Sequence, residues 1–285
     1  MPSNPFRHLV PSRYLVPSRY APSVLALLFG CAALLASVRP AAAQYGEWIR
    51  TGRPGQTIGT YCLGARVFQA QQGYTFRVRD FDGDQRRTQS TTHVLRVGIT
   101  EDFEVSGVLR AQSDRSDASD ADLSGISSLQ FGVRYNVTSE TKLLPSIAVQ
   151  TRLLVNTFDD DYGREGIGHS SIVAIGKRVL PKTALIANAI FTNDGNAPGA
   201  VARYTTGLYH MLTPQLQIYL GGYGRFSDFD FNLDGGLGYF VNRDLKLDLT
   251  YGRQGFGDFE GDPDGLESDY FVSAGVSWRV DWRGE

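Results

Sequence analysis

Lysine and cysteine are scarce in this sequence, in which 4 of the 285 residues are Lys and 2 are Cys. No apolar run reaches the roughly 20 residues that a membrane-spanning helix needs, which excludes a helical membrane protein. The 28 basic and 30 acidic residues leave no basic excess, so no nucleic-acid partner is expected. Glycine and aromatic residues are abundant instead, with 32 Gly, 16 Phe and 14 Tyr.

Residues 1–43 have the composition of a secretory signal peptide. Three arginines without any acid precede the apolar run Val24–Val38, and an alanine triplet at 41–43 supplies a small-x-small cleavage site. We therefore expect export and cleavage after Ala43. A lipoprotein signal at Cys31 and a buried core helix are the alternatives.

Removal of this signal changes both the cysteine count and the charge. Cys31 leaves with it, so Cys62 has no disulfide partner and is interpreted as a small buried side chain. The signal holds four of the 28 basic residues and none of the 30 acidic ones. The mature chain therefore has 24 basic against 30 acidic residues, a net charge of −6.

After Gln44 the hydrophobic pattern has a period of two, and no segment keeps a 3.6-residue period. Leu95 and Val97, for example, flank Arg96. Such alternation is typical of β-strands that have one apolar face. The pattern predicts twelve strands, at 65–79, 89–99, 103–112, 125–136, 143–156, 168–178, 183–193, 200–210, 215–226, 230–241, 245–254 and 269–280.

The connections between these segments alternate in length. Short turns are predicted at 100–102, 137–142, 179–182, 211–214 and 242–244. Longer polar connections are predicted at 80–88, 113–124, 157–167, 194–199 and 255–268, while the connection near 227–229 is an exception. A transmembrane β-barrel has this organisation, with turns in the periplasm and loops outside the cell.

The sequence therefore predicts an all-β fold, an antiparallel up-and-down transmembrane barrel of about 12 strands in residues 65–280. We expect it in the outer membrane of a Gram-negative-type bacterium. Residues 44–64 are then a periplasmic segment or a partial plug, and residues 281–285 form a polar tail. A soluble β-sandwich is the alternative fold, but it does not explain the alternating connections.

Three stretches carry a family resemblance: TGRPGQT at 51–57, GARVFQAQQGYTF at 64–76 and DYFVSAGVSWR at 269–279. They resemble the opening, first strand and last strand of an outer-membrane transporter family named for the meta-pathway of phenol degradation. The resemblance implies a channel or uptake protein for small, hydrophobic or aromatic compounds. Gly52 and Gly55 depart from the family's Asp residues, and the tail after Trp278 is also unexpected.

Arginine dominates the charged positions of the face that we interpret as inward. The residues expected to line the lumen are Arg77, Arg79, Arg96, Glu104, Arg110, Arg134, Arg152, Arg203, Arg225, Asp234, Asp248 and Arg279. One interpretation is a constriction that selects anions or carboxylated aromatics. The other is a filled, narrow lumen in which arginines link neighbouring strands by ion pairs.

The expected function is that of an outer-membrane channel for passive passage of small molecules, with no enzymatic activity. Outer-membrane lipids, lipopolysaccharide and a small-molecule solute are the expected partners. The alternatives are a closed structural barrel and an outer-membrane lipid hydrolase that uses His169 and Ser171, with Asn193 on the next segment. No metal or cofactor is expected, because no cysteine–histidine cluster with ligand spacing occurs in the sequence.

Overall fold

Twelve antiparallel strands close into a barrel in the computed structural model, which describes residues 47–81, 84–159, 161–196, 199–227, 229–254 and 266–282. Each strand pairs with its neighbours in sequence, and the first pairs with the last. The strands are β1 (Val67–Phe81), β2 (Asp84–Gly98), β3 (Phe103–Ser116), β4 (Ser119–Thr138), β5 (Ser146–Val155), β6 (Gly168–Leu180), β7 (Thr183–Asn193), β8 (Val201–Met211), β9 (Leu216–Arg225), β10 (Asn232–Phe240), β11 (Leu245–Gln254) and β12 (Leu266–Asp281). The predicted strand number and up-and-down order are confirmed.

The expected signal peptide at 1–43 lies outside the described residues, as do residues 283–285 of the tail. Within the described part of the chain, no helix is long and apolar enough to cross a membrane.

Large apolar side chains cover the outside of the barrel, in a band that we call the apolar belt. Leu95, Phe131 and Leu220 are 52 %, 55 % and 60 % exposed, whereas inward-facing Arg96 and Glu104 are buried. The belt also contains Ile99, Val133, Leu153, Val173, Leu185, Leu208, Leu237, Leu247, Leu249 and Val272. Water-soluble domains rarely expose apolar surface on this scale, but a barrel face that meets lipid requires it. The outward apolar face excludes the sandwich.

The connections predicted at 80–88 and 113–124 are wrong, because both stretches are largely strand. β1 continues to Phe81 and β2 begins at Asp84, while β3 continues to Ser116 and β4 begins at Ser119. Their polar side chains form cross-strand ion pairs, such as Arg115–Asp122 at 2.9 Å. The backbone hydrogen bonds of an antiparallel pair form whatever the side chains are. A hairpin with both faces exposed to water therefore lacks the apolar–polar alternation that indicates a strand in the sequence.

The two segments with the poorest alternation are strands β6 and β7. Ile172, Ile186 and Ile190 interrupt the alternation because they lie on the inward parity. Ile172 is buried and lies directly opposite Ile190 in the β6–β7 pairing. This part of the lumen wall is therefore apolar rather than polar.

The unexpected tail after the last predicted strand contributes an aromatic contact. The Trp282 ring stacks on Phe68 with centroids 6.4 Å apart, and its backbone N–H donates to the Arg66 carbonyl at 3.2 Å. The Trp278 ring meets the same Phe68 edge-on at 6.4 Å. Aromatic side chains are typical of the level where a barrel passes from lipid to water.

The apolar belt makes Leu220→Arg a test of membrane insertion, since Leu220 lies near the middle of β9. We expect the substitution to lower the free energy of unfolding from lipid vesicles by about 2–4 kcal/mol, the cost of a cation near the bilayer midplane. Urea titration of protein refolded into vesicles measures it. Leu212→Arg, in the exposed turn before β9, is the control and should cost less than about 1 kcal/mol. Equal small effects at both sites would contradict a lipid-facing belt.

Candidate functional site

Residues 47–64, which we call the plug, lie inside the barrel at the end that carries the turns 99–102 and 241–244, the turn end. The Ile49 N–H donates to the Arg243 carbonyl at 2.7 Å, and the Cys62 Sγ lies 3.2 Å from the Asp102 carbonyl oxygen. Residues 47–64 thus contact the inner wall and the turns of the barrel. The opposite end, which carries residues 117–118 and 161–167, is the loop end.

The backbone of the plug is bound by inward-facing polar side chains. An irregular segment has no strand partner, so its buried N–H and C=O groups need other acceptors and donors. The bonds are Leu63 N–H to Glu104 Oε2 at 3.0 Å, Ile58 N–H to Asn188 Oδ1 at 2.8 Å, Gln56 N–H to Asp234 Oδ2 at 3.2 Å, Asn136 Nδ2 to the Thr60 carbonyl at 2.7 Å and Tyr209 OH to the Thr57 carbonyl at 3.3 Å. Much of the polar lumen is thus occupied by the chain itself.

Arg53 attaches the plug to the wall made by β11, β12 and β1. Its Nη2 lies 3.0 Å from Asp248 Oδ1 and donates to Ser273 Oγ at 2.9 Å. The guanidinium packs against Gly73 and Gly275, which are paired across β1 and β12, and a Cβ on either glycine would come within 2.3 Å of it. The two small residues therefore make the space that the arginine occupies.

Gly55, one of the two departures from the family pattern, has a structural reason. Its φ is +94°, a left-handed conformation that side-chain-bearing residues rarely adopt. A Cβ there would also lie 2.7 Å from the Tyr219 ring, which stacks on Tyr209 with centroids 5.5 Å apart. The aromatic wall therefore takes the place that a side chain at position 55 would need.

A buried ion network joins the plug to β2, β3 and β4. Arg96 Nη2 lies 2.7 Å from Glu104 Oε2, and Arg134 Nε lies 3.6 Å from Glu104 Oε1. Arg134 Nη1 also donates to the Tyr61 carbonyl at 3.2 Å. A buried carboxylate is tolerated when it is paired and hydrogen-bonded, and Glu104, at 1 % exposure, meets both conditions.

All twelve residues predicted to line the lumen lie on the inward parity of their strands. Six of them bond to the plug or to the side chains that hold it: Arg96, Glu104, Arg134, Asp234, Asp248 and Arg279. The other six lie nearer the loop end: Arg77, Arg79, Arg110, Arg152, Arg203 and Arg225. Ion pairs therefore join the plug to the wall at the turn end, and at the loop end Arg77 and Arg225 pair with Asp269 and Asp230.

Sequence reasoning missed the amides and aromatic rings of the lumen. Asn136, Asn188 and Tyr209 bond the plug backbone, and Phe271 lies beneath Arg77, whose Cζ is 5.2 Å from the ring centroid. Asn188 interrupts an apolar segment on the inward parity, which is the one signal that could have indicated it. The rings carry no such signal because apolar side chains dominate the outward face too.

The hydrolase alternative is not assembled in the structure. Ser171 Oγ lies 3.3 Å from Thr151 Oγ1, and no hydrogen bond joins Ser171 to His169 in the described part of the chain. Asn193 lies opposite His169, but its Nδ2 donates to the Gly199 carbonyl at 2.6 Å. A serine nucleophile needs its base within hydrogen-bonding distance, and this geometry does not provide one.

Cys62 reports on the plug because it is a free, buried thiol near the C-terminal end of that segment. Burial, followed by the nearby Glu104 carboxylate, raises the pKa of the Cys62 thiol to about 12. At pH 9 such a thiol is ionised in roughly 1 molecule in 1,000, whereas an ordinary cysteine is mostly thiolate. We expect maleimide labelling of Cys62, followed by mass spectrometry, to stay slow from pH 7 to 9 and to become fast in urea. Labelling of the folded protein at the unfolded rate would contradict the buried position.

Asp248→Asn tests the attachment of the plug by Arg53. The substitution removes a carboxylate that forms charge-assisted bonds, which contribute about 1.5–3 kcal/mol. The plug should therefore leave the wall more often, and Cys62 labelling of the folded protein should accelerate by about tenfold or more. Asp117→Asn, in the exposed Arg87–Asp117 pair, is the matched control and should leave the rate unchanged. An unchanged rate in Asp248→Asn would show that Arg53 does not hold the plug.

Comparison with solved structures shows a shared barrel fold. An outer membrane channel from Pseudomonas putida F1 aligns with 77 % of this chain and 97 % of its own, at 15 % identity and a TM-score of 0.56. KdgM porin covers 73 % of this chain and 98 % of its own, at 10 % identity and 0.47. Outer membrane phospholipase A from Escherichia coli covers 86 % and 99 %, at 11 % identity and 0.45. At these identities the likeness concerns the fold alone.

No curated protein matches the chain by sequence. A family profile with the description "Putative MetA-pathway of phenol degradation" matches residues 51–280, from the plug to the end of β12. The matched range contains all three stretches that carry the sequence resemblance. The chain therefore belongs to the family named for the meta-pathway of phenol degradation.

Proposed function

We propose that this protein is an outer-membrane channel for passive passage of small solutes. The observation that carries the proposal is the division of the barrel into an apolar outer belt and a charged lumen. A surface that meets lipid explains the belt, and the charged inner wall suits a passage for polar or ionic solutes. Export by the expected signal peptide at 1–43 and contact with outer-membrane lipids and lipopolysaccharide belong to the same proposal.

Anions are the solutes that the lumen favours. Among the described residues, six arginines face inward near the loop end, and the acids that meet them are Asp114, Asp230 and Asp269. The local charge is thus positive although the mature chain has an expected net charge of −6. A narrow passage with low-dielectric walls concentrates such a field on the solute. The Phe271 ring beside Arg77 adds an aromatic surface, which supports carboxylated aromatics among the anions.

The plug favours a second candidate, the closed structural barrel. Residues 47–64 bond to side chains on strands around the barrel, including β3, β7, β10 and β11. Passage of a solute requires either space beside this segment or its displacement. Conductance distinguishes a channel from a barrel that stays closed.

Planar lipid bilayers provide that measurement. We expect the purified protein to give discrete current steps with a preference for anions in a salt gradient. The double substitution Arg110→Glu and Arg203→Glu should lower the anion-to-cation permeability ratio severalfold, because it reverses two charges of the inner wall.

Arg115→Glu is the matched control, since Arg115 pairs with Asp122 on an exposed hairpin at 2.9 Å; the ratio should stay unchanged there. A folded protein without current steps would contradict the channel and support the closed barrel. Current steps with an unchanged ratio in the double variant would contradict the selectivity.

A further inference from the structure

Two hydrogen-bond donors on β5 are buried in the lumen wall without an acceptor. Gln150 is 4 % exposed; its Oε1 accepts from Arg134 Nε at 3.0 Å, but its Nε2 has no partner. At the next inward position, Arg152 Nε is also buried without a partner. Buried polar atoms are nearly always paired, so two neighbouring orphan donors indicate an acceptor from outside the chain.

Among the described residues, no acid is free to pair with Arg152 at this place. Arg96, Arg134 and Arg152 surround a single carboxylate, Glu104, which already pairs with the first two. No hydrogen bond or ion pair of the Arg152 guanidinium occurs within the described residues. The cluster therefore carries an excess of positive charge, which a bound anion would reduce.

The position of the Arg152 side chain requires a glycine on the neighbouring strand β4. The strand pairings align Arg96 with Ser106, Ser106 with Gly132 and Gly132 with Arg152. A Cβ at Gly132 would come within 2.5 Å of Arg152 Cγ. The Arg152 side chain therefore packs over Gly132, with Ser106 and Gly132 between it and Arg96.

An apolar wall borders the two donors on the other side. Gln150 lies directly opposite Ile172, and Ile172 lies opposite Ile190. Leu154, the inward residue after Arg152 on β5, is buried as well. Donors with a positive charge next to an apolar surface suit a ligand that has an anionic head and a compact apolar body.

We propose that Gln150 and Arg152 form a carboxylate-binding site whose ligands are small acids with an apolar body, such as aryl carboxylates. One carboxylate oxygen accepts from Gln150 Nε2 and the other from Arg152, while the body lies against Ile172 and Leu154. The inference rests on the proposed channel function and names its substrate class. Because Arg134 bonds both Gln150 and the Tyr61 carbonyl, the ligand occupies a place one side chain from the plug.

Titration with 4-fluorobenzoate, followed by fluorine NMR of the detergent-solubilised protein, tests the site. Gln150→Glu keeps an oxygen for Arg134 but places a negative charge where the ligand carboxylate binds, so affinity should fall roughly tenfold or more. Arg152→Gln should cause a loss of similar size. Gln217→Glu is the control; it adds the same charge to the lumen beside Lys246, which donates to the Gln217 side chain at 3.0 Å. It should change affinity by less than about twofold.

Two further probes separate the head from the body of the ligand. Acetate lacks the apolar body and 4-fluorobenzyl alcohol lacks the charge, and each should bind roughly tenfold more weakly than 4-fluorobenzoate. Equal binding of acetate would overturn the apolar part of the site. Equal affinity of the folded wild-type protein and Gln150→Glu for 4-fluorobenzoate would overturn the site itself.

The titration measures occupancy and not passage, so its failure is distinct from failure of the channel. Current steps without 4-fluorobenzoate binding would support the channel function and overturn the carboxylate-binding site. Binding that depends on Gln150 and Arg152, without current steps, would support the carboxylate-binding site and contradict the channel function.

Discussion

A backbone polar group that leaves water must find a partner, and this requirement acts twice in the molecule. It first closes the sheet, because a strand edge left open in lipid would expose unpaired N–H and C=O groups; β1 therefore pairs with β12. It acts again inside the barrel, where the plug has no strand beside it. Side chains such as Glu104 and Asn188 supply the bonds that a neighbouring strand would otherwise make.

The charged residues of the lumen follow from this second requirement. A buried carboxylate needs a cation or hydrogen-bond donors beside it, and Glu104 and Asp248 each have an arginine within 3.0 Å. These pairs occupy the turn end together with the plug. Nearer the loop end the described part of the wall has more arginines than acids, and the orphan donors of Gln150 and Arg152 lie close to the boundary between the two parts. The carboxylate ligand that we propose lies at this boundary, because the described residues supply no acceptor for these donors.

Prediction from the sequence succeeded where one face of a strand is apolar and the other polar. It failed at 80–88 and 113–124, where both faces of the hairpins are polar and the residues resemble loop residues. It also missed that the lumen wall is apolar at Ile172 and Ile190. In sequence, an apolar residue on the inward face looks like an interruption of the alternating pattern. The inward parity of all twelve expected lumen residues was predictable, since a period of two leaves only two faces. The partners of Arg53 were not, because Gly73, Asp248 and Gly275 come together only through strand register.

The sequence by itself determined the all-β class, the twelve strands and the face on which each arginine lies, since these depend on residues close together in the chain. Only the tertiary structure decided that residues 47–64 enter the lumen, which arginines are neutralised and which donors stay unpaired. Those properties depend on contacts between residues far apart in sequence, such as Arg53 with Asp248. They arise when the barrel closes and brings twelve inward faces around one segment of chain.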